Sequence, residues 1–149
     1  MALTVGDQAP DFTLPDHAGE DFSLSQKRGQ KLLLVFYPGD DTPVCTRQLC
    51  EYRDGIEEYT NLGVDVVGIS HNDADSHQKF RAKYDLPFTL LTDRGLKVAE
   101  QYGCKGLLGM KRAVFILDAQ GVIQYEHIES VSVFRRKHEE LVEALAAIA

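Results

Sequence analysis

The chain has 149 residues, 44% hydrophobic and 26% charged, the composition of a folded globular protein and not of a disordered tail or a fibre. Sixteen basic against 23 acidic residues leave a formal charge of -7, which argues against nucleic acid as a partner, because neutralising phosphates needs a concentrated basic surface. No apolar run approaches the roughly 18 residues that suggest a membrane span, and the length suits a single domain over residues 1–149 with one continuous core.

In chain order, the first pattern is a pair of short alternations, Asp11-Phe12-Thr13-Leu14 and Asp21-Phe22-Ser23-Leu24, about His17-Ala18-Gly19. They predict a short hairpin or an extended arm. Leu32 to Tyr37 is an unbroken apolar run and reads as a buried central strand. From Pro43, the residues Leu49, Tyr52, Ile56 and Tyr59 recur at three- and four-residue steps, predicting a helix that ends near Gly63. Val64 to Ser70 is β-branched and apolar on both faces, as a strand covered on both sides requires. Asn72 to Asp75 offers caps for a helix through about Tyr84, stopped before Pro87. Thr89 to Thr92 is strand-like, and Leu96 to Tyr102 gives one or two helical turns ended by Gly103.

Ala113–Leu117 and Val122–Glu126, about the turn Asp118-Ala119-Gln120-Gly121, predict a second hairpin. Phe134 to Ile148 carries Phe134, His138, Leu141, Leu145 and Ile148 along one stripe, an amphipathic helix. Its basic run Arg135-Arg136-Lys137, beside Glu139 and Glu140, reads as a solvated helix face. Two parallel crossovers, then an antiparallel hairpin and a last helix, make an α/β domain: a mixed sheet with helices on both faces and an N-terminal hairpin or arm. A thioredoxin-like topology has this order.

The first residues lack the basic and apolar regions of a signal peptide, so a cytoplasmic protein is expected. Three cysteines, Cys45, Cys50 and Cys104, do not make a disulfide scaffold; in a reducing compartment any bond among them is transient and catalytic. Thr42 followed by Pro43 is a helix start, with Thr as N-cap and Pro where no N–H is needed. Cys45 then falls at the third helical position, within the turn whose free N–H groups and dipole favour negative charge. A thiol there is expected to ionise below the free value of about 8.5 and to act as a nucleophile; the alternative is a small buried hydrophobe between helix and sheet.

The segments Phe36-Tyr37-Pro38, Asp40-Asp41-Thr42-Pro43, Cys45-Thr46, Cys50 and Arg53-Asp54 resemble the active-site stretch of a peroxiredoxin, most of all the bacterioferritin-comigratory-protein or Q-type branch. The likeness extends to Gly6–Phe12, Leu86-Pro87-Phe88, Leu91-Thr92-Asp93 and Arg112–Asp118. It implies a thiol-dependent peroxidase acting on hydrogen peroxide and organic hydroperoxides, with no metal or bound cofactor. Cys45 would be the peroxidatic cysteine, passing through a sulfenic acid. Thr42 would orient thiolate and peroxide, Pro38 would shield the pocket from water, and Arg112 would fix the thiolate and the charge on the leaving oxygen. The chain departs from the commoner pattern at Gly39, where Lys or Arg is frequent, at Val44, where Gly is frequent, and at Gln48, where Glu is frequent.

The resemblance also makes Cys50 the resolving thiol. Five residues along a helix is a rotation of about 500°, which sets the two side chains roughly 140° apart and their Cα atoms about 8 to 9 Å apart. A disulfide needs roughly 4.4 to 6.8 Å. The bond therefore requires the first turns of the helix to unwind, and a thioredoxin- or glutaredoxin-type dithiol would then reduce it. Cys104, in Gln101–Gly106, reads as a passive loop thiol or an alternative resolving partner. The apolar residues of Gly106-Leu107-Leu108-Gly109-Met110-Lys111 are expected to rim the peroxide entrance or to cover a partner surface.

The five histidines do not form a metal constellation: His71 and His77 lack a ligand spacing, and His17, His127 and His138 are scattered. Two other classes of function fit the same residues. A thiol–disulfide oxidoreductase would normally carry Cys-x-x-Cys in place of this Cys-x-x-x-x-Cys, and a redox sensor would oxidise once and signal through a partner. A monomer or weak homodimer is expected, with no nucleic-acid or membrane partner.

Overall fold

The computed structural model of the protein describes residues 3–107, 109–129 and 136–147. The N-terminal alternations form a hairpin, β1 (Thr13–Pro15) against β2 (Asp21–Ser23), antiparallel with Leu14 opposite Phe22. Its turn is closed by the Asp16 carboxylate, which accepts from the backbone of Ala18 and Glu20. After a short 3-10 turn come β3 (Lys31–Phe36), α1 (Pro43–Asp54), α2 (Ile56–Asn61), β4 (Val64–Ser70), α3 (Ala74–Tyr84) and β5 (Thr89–Thr92). Then follow α4 (Lys97–Gln101), a two-residue hairpin of β6 (Lys105–Gly106) and β7 (Gly109–Met110), β8 (Ala113–Leu117), β9 (Ile123–Ile128) and α5 (His138–Ala146).

Five strands form one sheet in the order β5-β4-β3-β8-β9. β3, β4 and β5 run parallel, while β8 and β9 are antiparallel, so the sheet is mixed as expected. The period of two along β3 divides the core. Leu32, Leu34 and Phe36 face one layer with Phe12, Phe22, Val98, Tyr102 and Met110. Leu33 and Val35, followed by Tyr37, face the other with Cys45, Leu49, Tyr52, Tyr59, Phe80, Leu141 and Leu145. The N-terminal hairpin, α4 and the β6–β7 hairpin thus cover one face, and α1, α2, α3 and α5 the other. Each fully buried leucine contributes about 2 kcal/mol by removing its apolar surface from water, which holds α1 against the sheet.

Three local expectations are corrected. The helix from Pro43 does not run to Gly63 but breaks at Gly55, where the His138 imidazole of α5 occupies the space: a Cβ on Gly55 would lie 2.1 Å from His138 Cε1. Arg136 and Lys137 precede α5 instead of lying on its face, Arg136 pairing with Glu140 and standing beside Glu129 and His127. The third correction concerns Leu96, which stands outside the turns of α4 in a left-handed conformation (φ 58°). The helix begins instead on the buried Asp93 carboxylate, which accepts from the backbone N–H groups of Val98 and Ala99 at 3.3 and 2.8 Å. Of the stripe expected on the last helix, Leu141 and Leu145 are buried, while Phe134 and Ile148, like Arg135, lie outside the described residues.

Candidate active site

β3 delivers the chain to the sheet's C-terminal edge, where the loop Tyr37–Thr42 turns into α1. Pro38 is half-buried two residues past the end of the strand, and Thr42 is exposed at the N-cap position with extended backbone (φ -90°, ψ 152°). Its carbonyl accepts from Thr46 N–H at 2.8 Å, starting the helix. The hydroxyl does not cap α1 as expected but donates to the Gly39 carbonyl at 3.1 Å, tightening the loop behind the cap. Gly39 itself is not demanded by space, since a Cβ there would meet Thr42 and Asn72 at ordinary distances of 3.6 and 3.7 Å.

Cys45 sits in the first turn of α1, fully buried, its thiol in the apolar layer with Val35, Tyr37 and Leu49. It is a free thiol, as are Cys50 and Cys104. Gln48, one turn on and on the same side of α1, is also fully buried and reaches Arg112. Arg112, 2% exposed before β8, donates from Nη1 to Gln48 Oε1 at 2.6 Å. The amide is held by its other end, Nε2 donating to Tyr52 Oη at 3.0 Å, and Tyr52 Oη in turn donates to the Arg136 carbonyl. A neutral amide thus takes the place of the frequent carboxylate against the buried cation. The fold brings Cys45, Gln48, Tyr52 and Arg112 to one side of α1, while Pro38 and Thr42 flank its start.

Cys50 lies in the same unbroken helix as Cys45, half-buried, its thiol raised by desolvation against the opposing pull of Arg53. Cys104 is fully buried in the opposite core layer, with its pKa pushed up to about 12, mainly by burial and then by the charge of Asp93. That is the environment of a passive thiol. The loop before Arg112 divides its apolar residues: Met110 is in the core and Leu107 stands in solvent, while Leu108 lies outside the described residues. Among the described residues no group of three or more His, Cys, Asp or Glu is placed to hold a metal ion.

One buried polar group at the loop was not singled out in the sequence. Asp40 Oδ2 lies 2.7 Å from His77 Nδ1, Tyr37 Oη donates to Asp40 Oδ1 at 2.6 Å, and His77 Nε2 donates to the Leu91 carbonyl at 3.0 Å. The Tyr37 phenol is held well above its ordinary pKa by burial and by the Asp40 carboxylate beside it. The only trace in the sequence is a polar side chain, His77, on the apolar side of a predicted helix.

The AhpC/TSA family model matches residues 5–126. A peroxiredoxin bcp of Coxiella burnetii is 45% identical over 131 residues, covering 83% of this chain and 87% of that protein. The chloroplastic peroxiredoxin Q of Oryza sativa subsp. japonica is 46% identical over 126 residues; the match covers 83% of this chain but 58% of the rice protein. The crystal structure of peroxidoxin BcpB from Mycobacterium tuberculosis superposes with a TM-score of 0.88 at 32% identity, covering 97% of both chains. With its buried first-turn thiol, a mixed sheet of this topology and these relatives, the chain belongs to the AhpC/TSA family and, within it, to the peroxiredoxins of the bacterioferritin-comigratory-protein or Q type.

Proposed function

We propose that this chain reduces hydrogen peroxide and organic hydroperoxides through Cys45, resolves the product through Cys50, and is recycled by a thioredoxin- or glutaredoxin-type dithiol. The observation that carries the reading is Arg112 reaching, through Gln48, the side of α1 that bears the buried Cys45. The Cys45 thiolate attacks one peroxide oxygen and the O–O bond breaks. The thiolate becomes a sulfenic acid, and the leaving oxygen takes a proton to give water or an alcohol. Arg112 and the free N–H groups at the start of α1 stabilise the negative charge as it passes to the leaving oxygen. Thr42 orients the reacting atoms once its hydroxyl turns from Gly39, and Pro38 closes the loop over them.

The Cys50 thiol then attacks the sulfenic sulfur, forming the Cys45–Cys50 bond and releasing water. Because both cysteines lie in α1, this step follows unwinding of the helix from its N-terminal end. The working form is a monomer or weak homodimer in the cytoplasm.

Stopped-flow peroxide reduction with wild type, Cys45→Ser and Cys50→Ser tests the assignment. Loss of the fast reaction in the first and of recycling alone in the second is expected. Retained fast peroxide reduction in Cys45→Ser would overturn it. Insulin-disulfide reduction faster than peroxide consumption would favour the oxidoreductase reading instead.

A further inference from the structure

Residue 40 is tied to the body of the protein from four directions. Its carboxylate, with a side chain only 3% exposed, accepts from Tyr37 Oη at one oxygen and from Ser76 Oγ (2.8 Å) at the other, which also meets His77 Nδ1. Its backbone N–H donates to Asn72 Oδ1 at 2.8 Å. Asn72 is itself held, its Oδ1 accepting from Ser70 Oγ and its carbonyl from Thr92 Oγ1. His77 is fully buried and carries the link onward to the Leu91 carbonyl of β5. Both ring nitrogens are thus engaged, Nδ1 by Asp40 Oδ2 and Nε2 by the Leu91 carbonyl, which fixes the orientation of the ring. The next residue, Asp41, takes a left-handed backbone (φ 56°), a conformation unfavourable for a non-glycine residue. It is kept there by Tyr84 Oη and Lys83 on its carboxylate. Thr42 and the first turn of α1 follow at once.

We infer that the buried Asp40–His77 pair is a positioning post for the peroxidatic helix. By anchoring the chain two residues before Thr42, it favours the folded, peroxide-reactive form of α1 over the unwound form that makes the disulfide. The physical reason is entropic. When α1 unwinds, the segment between its anchors gains freedom, and a fixed point at residue 40 keeps that segment short and its gain small. With the post intact the unwound state is confined to the segment after residue 40. With the post removed, the unwound segment extends back towards β3, and the folded state loses a buried hydrogen-bonded link. Neither residue touches the reacting atoms, and the effect passes through the backbone of residues 40–42. The inference rests on the assignment of Cys45 and Cys50 above.

Two fates of the Cys45 sulfenic acid report on the balance. From the folded form a second peroxide molecule oxidises it to the sulfinic acid, releasing water. From the unwound form Cys50 displaces water and the disulfide results. The test is mass spectrometry of the sulfinic-to-disulfide ratio after a graded peroxide pulse, with stopped-flow rates alongside. In Asp40→Ala and His77→Phe, the ratio at equal peroxide is expected to fall about tenfold, while the peroxide rate constant falls much less, because the folded form remains the major one in the reduced protein. Asp40→Asn retains wild-type partitioning, because its amide oxygen still accepts from Tyr37 Oη and its NH2 can donate to His77 Nδ1. Ser76→Ala removes one support of the carboxylate, and its smaller shift in the same direction serves if the larger variants fail to fold. Val98→Ala, in the opposite core layer, lowers stability without moving the ratio.

Partitioning that is unchanged in Asp40→Ala, His77→Phe and Ser76→Ala, or that tracks loss of stability equally in Val98→Ala, overturns the positioning role. So does an Asp40→Asn variant indistinguishable from Asp40→Ala. A wild-type protein that forms no Cys45–Cys50 bond in the same experiment would instead overturn the assignment of the two cysteines.

Discussion

Arg112 and Gln48 meet as a buried cation and a buried amide, Nη1 to Oε1 at 2.6 Å, across 64 residues of chain. The amide has a single useful orientation, because Nε2 is engaged by Tyr52 Oη. The guanidinium is therefore aimed by a relay that starts in the second turn of α1 and ends at the Arg136 carbonyl.

Gln48→Ala removes one partner of a buried guanidinium and is expected to cost about 1–3 kcal/mol of stability. The peroxide rate constant should fall about tenfold, as Arg112 loses its aim. Gln48→Glu keeps the geometry and places a negative charge beside Arg112, so it should fold well. Urea unfolding and stopped-flow kinetics separate the two effects, and a Gln48→Ala enzyme as fast as wild type would show that the amide does not aim Arg112.

Unwinding of α1 on oxidation has a direct signature. Amide exchange over the first turns of the Pro43–Asp54 helix should accelerate by at least about 100-fold in the peroxide-oxidised wild type, and not in Cys50→Ser. Far-UV circular dichroism should fall in parallel. An oxidised protein with full protection from Cys45 to Cys50 would contradict resolution by Cys50.

The buried Cys104 thiol ties stability to alkaline pH. Its pKa is about 12 in the folded protein against 9.0 for the ordinary thiol, so above pH 9 the unfolded chain loses a proton that the folded chain keeps. Stability from this group is complete below pH 9 and declines between pH 9 and about 12, by up to about 1.4 kcal/mol per pH unit. Urea midpoints of wild type should therefore fall more steeply across pH 9–10.5 than those of Cys104→Ala, while turnover at neutral pH is the same in both.

Gly55 is where α5 locks onto the break between α1 and α2. Its missing Cβ makes room for His138, whose Nε2 donates to Glu58 and whose Nδ1 meets Tyr59 Oη, each at 3.0 Å. Gly55→Ala should displace that ring and cost about 1–3 kcal/mol by overpacking. Gly55→Ala combined with His138→Ala should recover most of the loss, read as a coupling in a double-mutant cycle by denaturant unfolding.

The elements that were legible in the sequence are those set by neighbours along the chain. The apolar run Leu32–Tyr37 reads as a covered strand, and Thr42-Pro43 as a helix start, which placed Cys45 in its first turn. The turn at Asp118 follows the same logic, its carboxylate accepting from Gln120 and Val122. What was not legible is set by groups distant in sequence. Gly55 offers a helix end, but nothing near it announces the ring of His138 that fills the space beside it and leaves no room for a Cβ. The Thr42 hydroxyl was illegible for a different reason: its acceptor, the Gly39 carbonyl, is close in sequence, but the N-cap residue type permits either partner.

By itself the sequence determined the α/β order, the hairpins and the place of Cys45 in the first turn of its helix, and the Cys45–Cys50 spacing set the condition on the proposed disulfide, that this helix unwind for the bond to form. These rest on periodicity, turn chemistry and helix geometry, which act over a few residues. Only the tertiary structure decided that Arg112 reaches α1 through Gln48 and that Cys104 is shut away in the opposite core layer. It alone also decided that Asp40 is held by His77, 37 residues away. A buried polar group must find its partner wherever the packed chain brings one, and packing, not local sequence, selects which.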